Sequence, residues 1–261
     1  MGFDWAFFWS RLTEPGDLYL VALGRTVIMA VLAMALGLVI GVVVGFGRLS
    51  RFILIRSVCA FYIWLIRGIP VLVLLVFFFS GLAAAGFFRF SDIVVFGFTL
   101  SASFQAAVIG LAIHEGAYMA EIVRNGIQAV QRGQIEAAKS LGMSTFQLTR
   151  RITLPQATRV IVPPLGNDFN HLLKTTSLAS VIGVQEIFQL TESMSATTFK
   201  TFELLIVLSI TYLLLTTVWN VIQGMIETRL RRHERDDGPS GILEKAIYFL
   251  RPKVDAAAER R

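Results

Sequence analysis

The sequence predicts an all-α polytopic membrane protein, and three observations carry that expectation. Of the 261 residues, 55% are apolar and only 16% are charged, which leaves too little polar surface to cover a soluble core of this size. Four stretches, Thr26 to Gly47, Gly68 to Phe88, Ile93 to Ile113 and Leu204 to Ile226, carry no formal charge. Each reaches the roughly 20 apolar residues that a helix needs to cross a hydrocarbon core. The basic residues are gathered in the segments between these stretches, in a pattern that reports topology.

Taken in order, the chain opens on FDWAFFWSRL, where Trp5 and Trp9 stand among phenylalanines. Residues 1–18 are therefore expected to form an interfacial segment at headgroup level on the external side. The first apolar stretch, TVIMAVLAMALGLVIGVVVGFG, lacks a short basic start and a small-residue cleavage site and reads as a retained spanning helix. The second is lengthened by the uncharged run Ser57 to Ile66 ahead of Arg67-Gly68-Ile69-Pro70. A kink is expected there, because proline removes a helical donor and crowds the preceding turn. Ile93 to Ile113 supplies a third span. Pro155 to Leu190 is moderately apolar but interrupted by Pro163, Pro164, Gly166, Asp168, Lys174 and Gly183, and is expected to make a fourth, broken crossing. Leu204 to Ile226 makes the fifth.

Five crossings place the termini on opposite sides, and the basic residues test the arrangement. Arg48, Arg51 and Arg56 follow the first span. Arg124, Arg132, Lys139, Arg150, Arg151 and Arg159 surround the third connection, and nine more follow from Arg229 onward. All fall on one face, which the positive-inside rule makes cytoplasmic, with the N-terminus outside and the C-terminus inside. The net charge of +6 does not gather on an aromatic-interleaved face of the kind that binds nucleic acid. The single cysteine, Cys59, excludes an intramolecular disulfide or a thiolate metal cluster and suits a packing role.

The charged insert EAAKSLGMSTFQLTRRITLP, Glu136 to Pro155, has helical logic of its own. Ile127 with Val130, and Ala138 with Leu141, give a modest apolar stripe, and Glu136 can pair with Lys139 one turn on. Gly142 breaks the run. Pro155 suits the first turn of a helix and pushes Leu154 toward an extended conformation. A helix, a glycine turn, a short second helix and re-entry into the membrane are expected.

Glu136, Ala137, Ala138, Gly142, Ile152, Leu154 and Pro155 reproduce EAA, three residues, G, nine residues, I-x-L-P. This resembles the cytoplasmic signature of permease subunits in binding-protein-dependent ABC importers. The segments IRGIP (66–70), AYMAEIVRNGI (117–127) and LKTTSLASVIGVQE (173–186) are similar to the polar and basic amino-acid branch of that superfamily. The likeness covers about residues 20 to 232.

The resemblance implies a type I importer permease fold over 19–232 and a coupling loop over 125–154. Within the loop, a short helix around Ala137 to Phe146 would seat in a separate ATPase subunit. Glu136, Ala137, Ala138, Lys139, Gly142 and Met143 are the implied coupling residues. It further implies two ATPase copies, a second permease subunit identical or paralogous, and an extracytoplasmic solute-binding protein, with an amino acid as cargo. The chain contains no G-x-x-x-x-G-K-[ST] phosphate loop, so ATP and Mg are expected on the partner. The tail 233–261 lies outside the family pattern and is expected to remain cytoplasmic, along the membrane, against the ATPase or disordered.

Ionisable groups at membrane depth are candidates for function because burying them is costly. His114 and Glu115 stand in the third span, and Asp168 and His171 in the fourth. HEGAY is not a metalloprotease motif, since Tyr118 occupies the position of the second histidine. Asp168 follows Pro163-Pro164-Leu165-Gly166, where a broken helix could offer free carbonyls and dipole ends to a zwitterion. Asp168, Asn170, His171, Thr175, Thr176 and Ser177 are expected to line the pathway, with His114 and Glu115 facing it and a carboxylate favouring the amino group or a cationic side chain. Two alternatives stand: Asp168 neutralised by His171, and Glu115 bonded within the bundle. Glu121 and Arg124 read as a structural pair. At Asp168, Asn170, His171 and Thr175 the chain departs from the family's usual GNQFINLLKDTS, which marks these positions as sites of specificity. An ion-driven carrier using Asp168, Glu115 and His114 is the rival class, but no paired internal repeat is visible.

Overall fold

The structure is a computed structural model and describes residues 2–95 and 98–231. The tail 233–261 expected from the sequence lies outside the described residues.

Helix α1, Trp5–Thr13, is capped by Asp4, whose side chain accepts from the Phe7 amide at 3.0 Å. Asp4 also ties α1 across the fold. Its Oδ2 accepts from Lys200 Nζ at 2.9 Å, and its own amide donates to Glu203 Oε1 at 2.9 Å. Trp5 and Trp9 remain exposed, as an interfacial helix requires.

Among the described residues, three helices are long and apolar enough to cross a membrane: α2, Asp17–Arg48; α6, Ala102–Gln128; and α11, Thr201–Arg231, through Leu230. The α2–α6 pair is the central seam. Gly37, Gly41 and Gly45 of α2 let its backbone approach α6. A Cβ on Gly41 would come within 2.5 Å of Met119 Cβ, and one on Gly45 within 2.9 Å of the Ala120 carbonyl. Small residues one turn apart are the usual means of close helix contact in membranes, where dispersion replaces the hydrophobic effect. Around this seam Met29, Ala30, Ala33, Leu75, Phe104, Leu111, Leu172 and Ala179 form the core. Cys59 packs against Gly47 at the end of α2.

The expected second span is broken. Helix α3, Ile53–Gly68, meets the segment Val71–Ala84 at a bend of 104°. That segment consists of α4, Val71–Val76, a π-helical turn, Phe77–Gly81, and α5, Leu82–Ala84. Pro70 forces Ile69 into extended conformation (φ −104°, ψ 130°). The kink expected at Gly68 to Pro70 is thus a full corner.

Ile93 to Ile113 is not one helix. Ile93–Val95 (β1) and Phe98–Leu100 (β2) pair antiparallel, with Val94 opposite Thr99. The apolar content is the same, but β-branched residues favour a strand. Helix α6 begins only after Ser101, whose hydroxyl accepts from the Phe104 amide.

The fourth segment also differs from expectation. Helix α9, Leu154–Thr175, runs unbroken through Pro163 and Pro164. Side chains of α11 strap it at this point: Trp219 Nε1 donates to the Gly166 carbonyl at 2.8 Å, and Gln223 Nε2 to the Pro163 carbonyl at 3.3 Å. The chain departs from α geometry later, in 3-10 turns over Thr176–Ile182 that end at Gly183 (φ +82°). At about 33 Å its 22 residues suffice to cross a bilayer, although its charges and amides exclude it from the clearly apolar spans. Helix α10, Ile187–Thr198, follows. Its N-cap Glu186 is fully buried, accepting from Gln189 N at 2.8 Å, Tyr212 OH at 3.3 Å and Thr26 Oγ1 at 3.4 Å. This carboxylate joins α2, α10 and α11.

Candidate functional site

The insert between α6 and α9 is built from local turn chemistry. Helix α7, Arg132–Ser140, ends on Gly142 in left-handed conformation (φ +77°), with Gly142 N donating to Lys139 O and Met143 N to Ala138 O. That pair of bonds is the Schellman motif, which satisfies the last carbonyls of a helix. Ser144 then opens α8, Thr145–Leu148, with a capping box: Gln147 N donates to Ser144 Oγ, and Ser144 N to Gln147 Oε1. Both turns are stiff.

Helix α8 continues through a π-helical turn, Thr149–Thr153, directly into α9. Leu154 is helical (φ −63°, ψ −46°) rather than extended. The widened π turn lets Leu154 N reach back to Thr149 O, so Pro155 can follow within the helix.

Ala138 is buried, whereas Glu136, Ala137 and Lys139 are exposed and the expected Glu136–Lys139 ion pair does not form. Met143 is half-buried. Leu141, expected on the buried stripe, is 84% exposed and Phe146 71%. The insert therefore presents two apolar side chains outward amid charge. A cavity of about 290 Å³ beside it is lined by Gln156, Arg159, Pro163, Glu227 and Leu230 among others. It brings together the start of α9 and the end of α11. Glu121 holds Arg124 at 2.7 Å, as a structural pair should, and lies 4.0 Å from Arg48 of α2.

A larger cavity, about 600 Å³, opens at the corner between α3 and α4, within the roughly 300–1,000 Å³ typical of small-molecule sites. It is lined by Arg67 to Val71, by His114, Glu115 and Tyr118 of α6, and by Asn167, Asp168 and His171 of α9. Four of the expected pathway residues thus meet in one place. His114 and Glu115 are buried and joined Nδ1 to Oε1 at 3.1 Å, so Glu115 is bonded within the bundle. Asp168 is not neutralised by His171, whose Nδ1 instead bonds the Thr175 hydroxyl at 3.2 Å. Asp168 Oδ2 is buried without a partner.

Other expected members turn elsewhere. Asn170, two residues from Asp168 and so on another face of α9, donates to Asn220 Oδ1 of α11. Thr175 is buried against α9's own turn, Thr176 bonds Leu173 O at 2.8 Å and Ser177 bonds Lys174 O at 2.8 Å. None of the four lines the cavity. The irregular backbone expected at Pro163 to Gly166 is supplied instead by Gly68-Ile69-Pro70, on the opposite wall.

Three polar lining residues escaped sequence reasoning, Arg67, Tyr118 and Asn167, as did the corner residues Gly68 to Val71 as a wall of the cavity. The signal for Arg67 was a cation placed directly before a Gly-x-Pro break in apolar sequence. Its guanidinium lies over the Tyr118 ring, 4.8 Å from the centroid.

A polar cavity at a helix corner within an apolar bundle, joined by one continuous helix to a rigid insert at the bundle's end, is the build of a membrane permease. The chain belongs to the family of binding-protein-dependent transport system inner membrane components, whose model matches residues 37–232. It is 39% identical to the arginine transport system permease protein ArgU of Corynebacterium glutamicum, over 80% of this chain and 66% of that protein. It is 34% identical to the glutamine transport system permease protein GlnP of Escherichia coli, over 88% and 99%. An amino acid ABC transporter crystallised with histidines matches with a TM-score of 0.76 at 34% identity, covering 88% of this chain and 100% of the solved one. The inward-facing MetNI methionine ABC transporter, 18% identical with a TM-score of 0.63, shares the fold.

Proposed function

We propose that this chain is the membrane-spanning subunit of an ATP-driven amino-acid importer working by alternating access, with a polar or cationic amino acid or close derivative as cargo. The observation that carries the reading is the insert: exposed Leu141 and Phe146 are held by a Schellman turn and a capping box and joined without a break to α9, which bears Asp168. A stiff element of this kind transmits a rigid-body movement that a flexible loop would absorb. Arginine and glutamine permeases among the relatives, and the mixed charge of the cavity, support the class of cargo.

In this reading the chain crosses a bacterial cytoplasmic membrane five times, through α2, the α3–α5 corner, α6, α9 with its 3-10 extension, and α11. The N-terminus is outside and the C-terminus inside. Residues 1–18 lie at the outer interface, 19–232 form the transmembrane domain and 233–261 a cytoplasmic tail. The loop 125–154, with Glu136, Ala137, Ala138, Lys139, Gly142 and Met143, seats in an ATPase that carries ATP and Mg. Two ATPases, a second permease subunit and an external solute-binding protein complete the assembly.

The test is reconstitution of the chain with a cognate ATPase and solute-binding protein. Amino-acid uptake coupled to ATP hydrolysis is expected, and Leu141→Asp with Phe146→Asp should abolish ATPase association while membrane insertion is retained. Absence of uptake for every amino acid, or association that survives the double substitution, sinks the reading.

A further inference from the structure

The corner cavity is lined by two opposite charges that no described residue holds in a hydrogen bond or salt bridge. Arg67 ends α3, and among the described residues its guanidinium has no hydrogen-bond or ion-pair partner. Asp168 Oδ2, on the facing helix, is buried and unbonded. Both line the same space, yet they do not reach each other. The remaining carboxylate, Glu115, is already held by His114 at 3.1 Å. The buried acceptor forgoes a hydrogen bond that a ligand could restore, and the exposed guanidinium keeps its donors available to one.

Arg67 is exposed, but the position it stands on is fixed. The turn it occupies is fixed from beneath by Ile66, Leu74 and Ala117, with Tyr62, Ile69 and Phe78 packed against them. Tyr62 OH donates to the Ile113 carbonyl at 2.6 Å, one residue before His114. The guanidinium carbon lies 4.8 Å from the centroid of the Tyr118 ring, and none of the described residues takes its N–H groups. A planar fork presented in this way matches a carboxylate in a bidentate manner that an ammonium cannot.

We propose that the cavity recognises the α-amino-acid headgroup by two poles, Arg67 binding the carboxylate and Asp168 the ammonium, so that the permease itself rejects amines lacking a carboxylate. The proposal rests on the amino-acid reading above and assigns to Arg67 a direct contact with cargo. Side-chain selection would then fall to the remaining walls, where His171 and Asn167 lie.

The experiment is equilibrium binding to the full-length chain, assembled with its ATPase in lipid nanodiscs and without the binding protein. L-Arginine is compared with agmatine, and L-glutamine with 4-aminobutanamide; each pair differs only by the carboxylate. The unsubstituted chain should prefer the amino acid of at least one pair by about 10- to 100-fold, the equivalent of one charge-assisted contact. Arg67→Gln should erase that preference by weakening the amino acid alone, whereas Asp168→Asn should weaken amino acid and amine together. Arg67→Lys, which keeps the charge but loses the fork, should retain part of the preference and serves if the glutamine variant fails to assemble.

A preference that survives Arg67→Gln, or survives Arg67→Lys undiminished, overturns the proposal. So does a cavity that binds neither member of either pair while the complete assembly still imports amino acids. Loss of all uptake by the unsubstituted assembly would instead overturn the functional reading.

Discussion

Substitution of Gly142 isolates the rigidity of the insert from its surface chemistry. Gly142 sits at φ +77°, and a Cβ built there would meet nothing within 4 Å, so alanine introduces no clash. Its cost is that of an L-residue in left-handed conformation, about 1–2 kcal/mol. Asparagine, which tolerates that region, costs less. A penalty of 1–2 kcal/mol shifts a two-state turn by about 5- to 30-fold. The bonds at stake are Gly142 N to Lys139 O and Met143 N to Ala138 O. Without them Leu141 and Phe146 no longer hold a fixed separation. In the reconstituted assembly, Gly142→Ala is expected to lower the uptake obtained per ATP hydrolysed while leaving the amount of inserted protein unchanged. Gly142→Asn should retain most of the coupling. Full coupling in the alanine variant, or equal damage by alanine and asparagine, would refute the argument that turn geometry transmits the motion.

Gly41→Ala should destabilise the bundle by about 1–3 kcal/mol through overpacking, because the new Cβ meets Met119 Cβ at 2.5 Å; thermal unfolding in detergent measures it, and an unchanged midpoint would deny the close seam. Trp219→Phe should cost about 1 kcal/mol by removing the donor to Gly166 O, and faster amide exchange over residues 163–167 in hydrogen-exchange mass spectrometry is the sign to look for. The docking of α1 should depend on pH at both extremes. The Phe7 amide, and then Lys200, hold the Asp4 carboxyl below its ordinary value, while the hydrogen bond to Asp4 holds the Lys200 ammonium above its own. The Asp4 contribution is complete above its ordinary value and is lost as pH falls through the lowered one. The Lys200 contribution is complete below its ordinary value and is lost as pH rises through the raised one. Trp5 and Trp9 fluorescence in vesicles should follow both limbs; Asp4→Asn should remove most of the alkaline limb and reduce the acid limb to the part due to Glu203, which the Asp4 amide holds below its ordinary value.

The sequence made the outline of the insert legible, because its determinants are local: a glycine at C′ and a proline in the first turn of a helix; the Ser144–Gln147 cap, the helical Leu154 and the outward Leu141 were not read from it. The first and last spans were legible from composition alone. What escaped depends on distant partners. The continuity of α9 through two prolines requires Trp219 and Gln223, more than fifty residues further along the chain. The paired strands Ile93–Val95 and Phe98–Leu100 have the apolar content of a span, and only their β-branched residues hinted otherwise. Of the residues expected on the pathway, His114, Glu115, Asp168 and His171 converge on one cavity, whereas helical register carries Asn170 to α11 and folds Thr175, Thr176 and Ser177 back on their own turns. Arg67 could not be placed, because its significance arises from which helix its corner faces.

The two unpaired charges stand on parts of the bundle that are held in different ways. Arg67 is anchored to α6 through Tyr62 and the Ala117 cluster, and α6 is locked to α2 by the glycine seam. Asp168 belongs to α9, which continues from the insert through the π turn and lies about 21 Å along the helix from Leu154. Side chains of α11 strap α9 at Pro163 and Gly166, between the insert and Asp168. A load applied at Leu141 and Phe146 therefore reaches one wall of the cavity along a helical path, while the other wall is tied to the α2–α6 core. Interfaces between packed elements shift between discrete arrangements rather than deforming continuously. The distance between carboxylate and guanidinium is thus the quantity that movement of the insert would change, and the cavity's grip on a zwitterion and its link to the insert are two consequences of the same placement of charges.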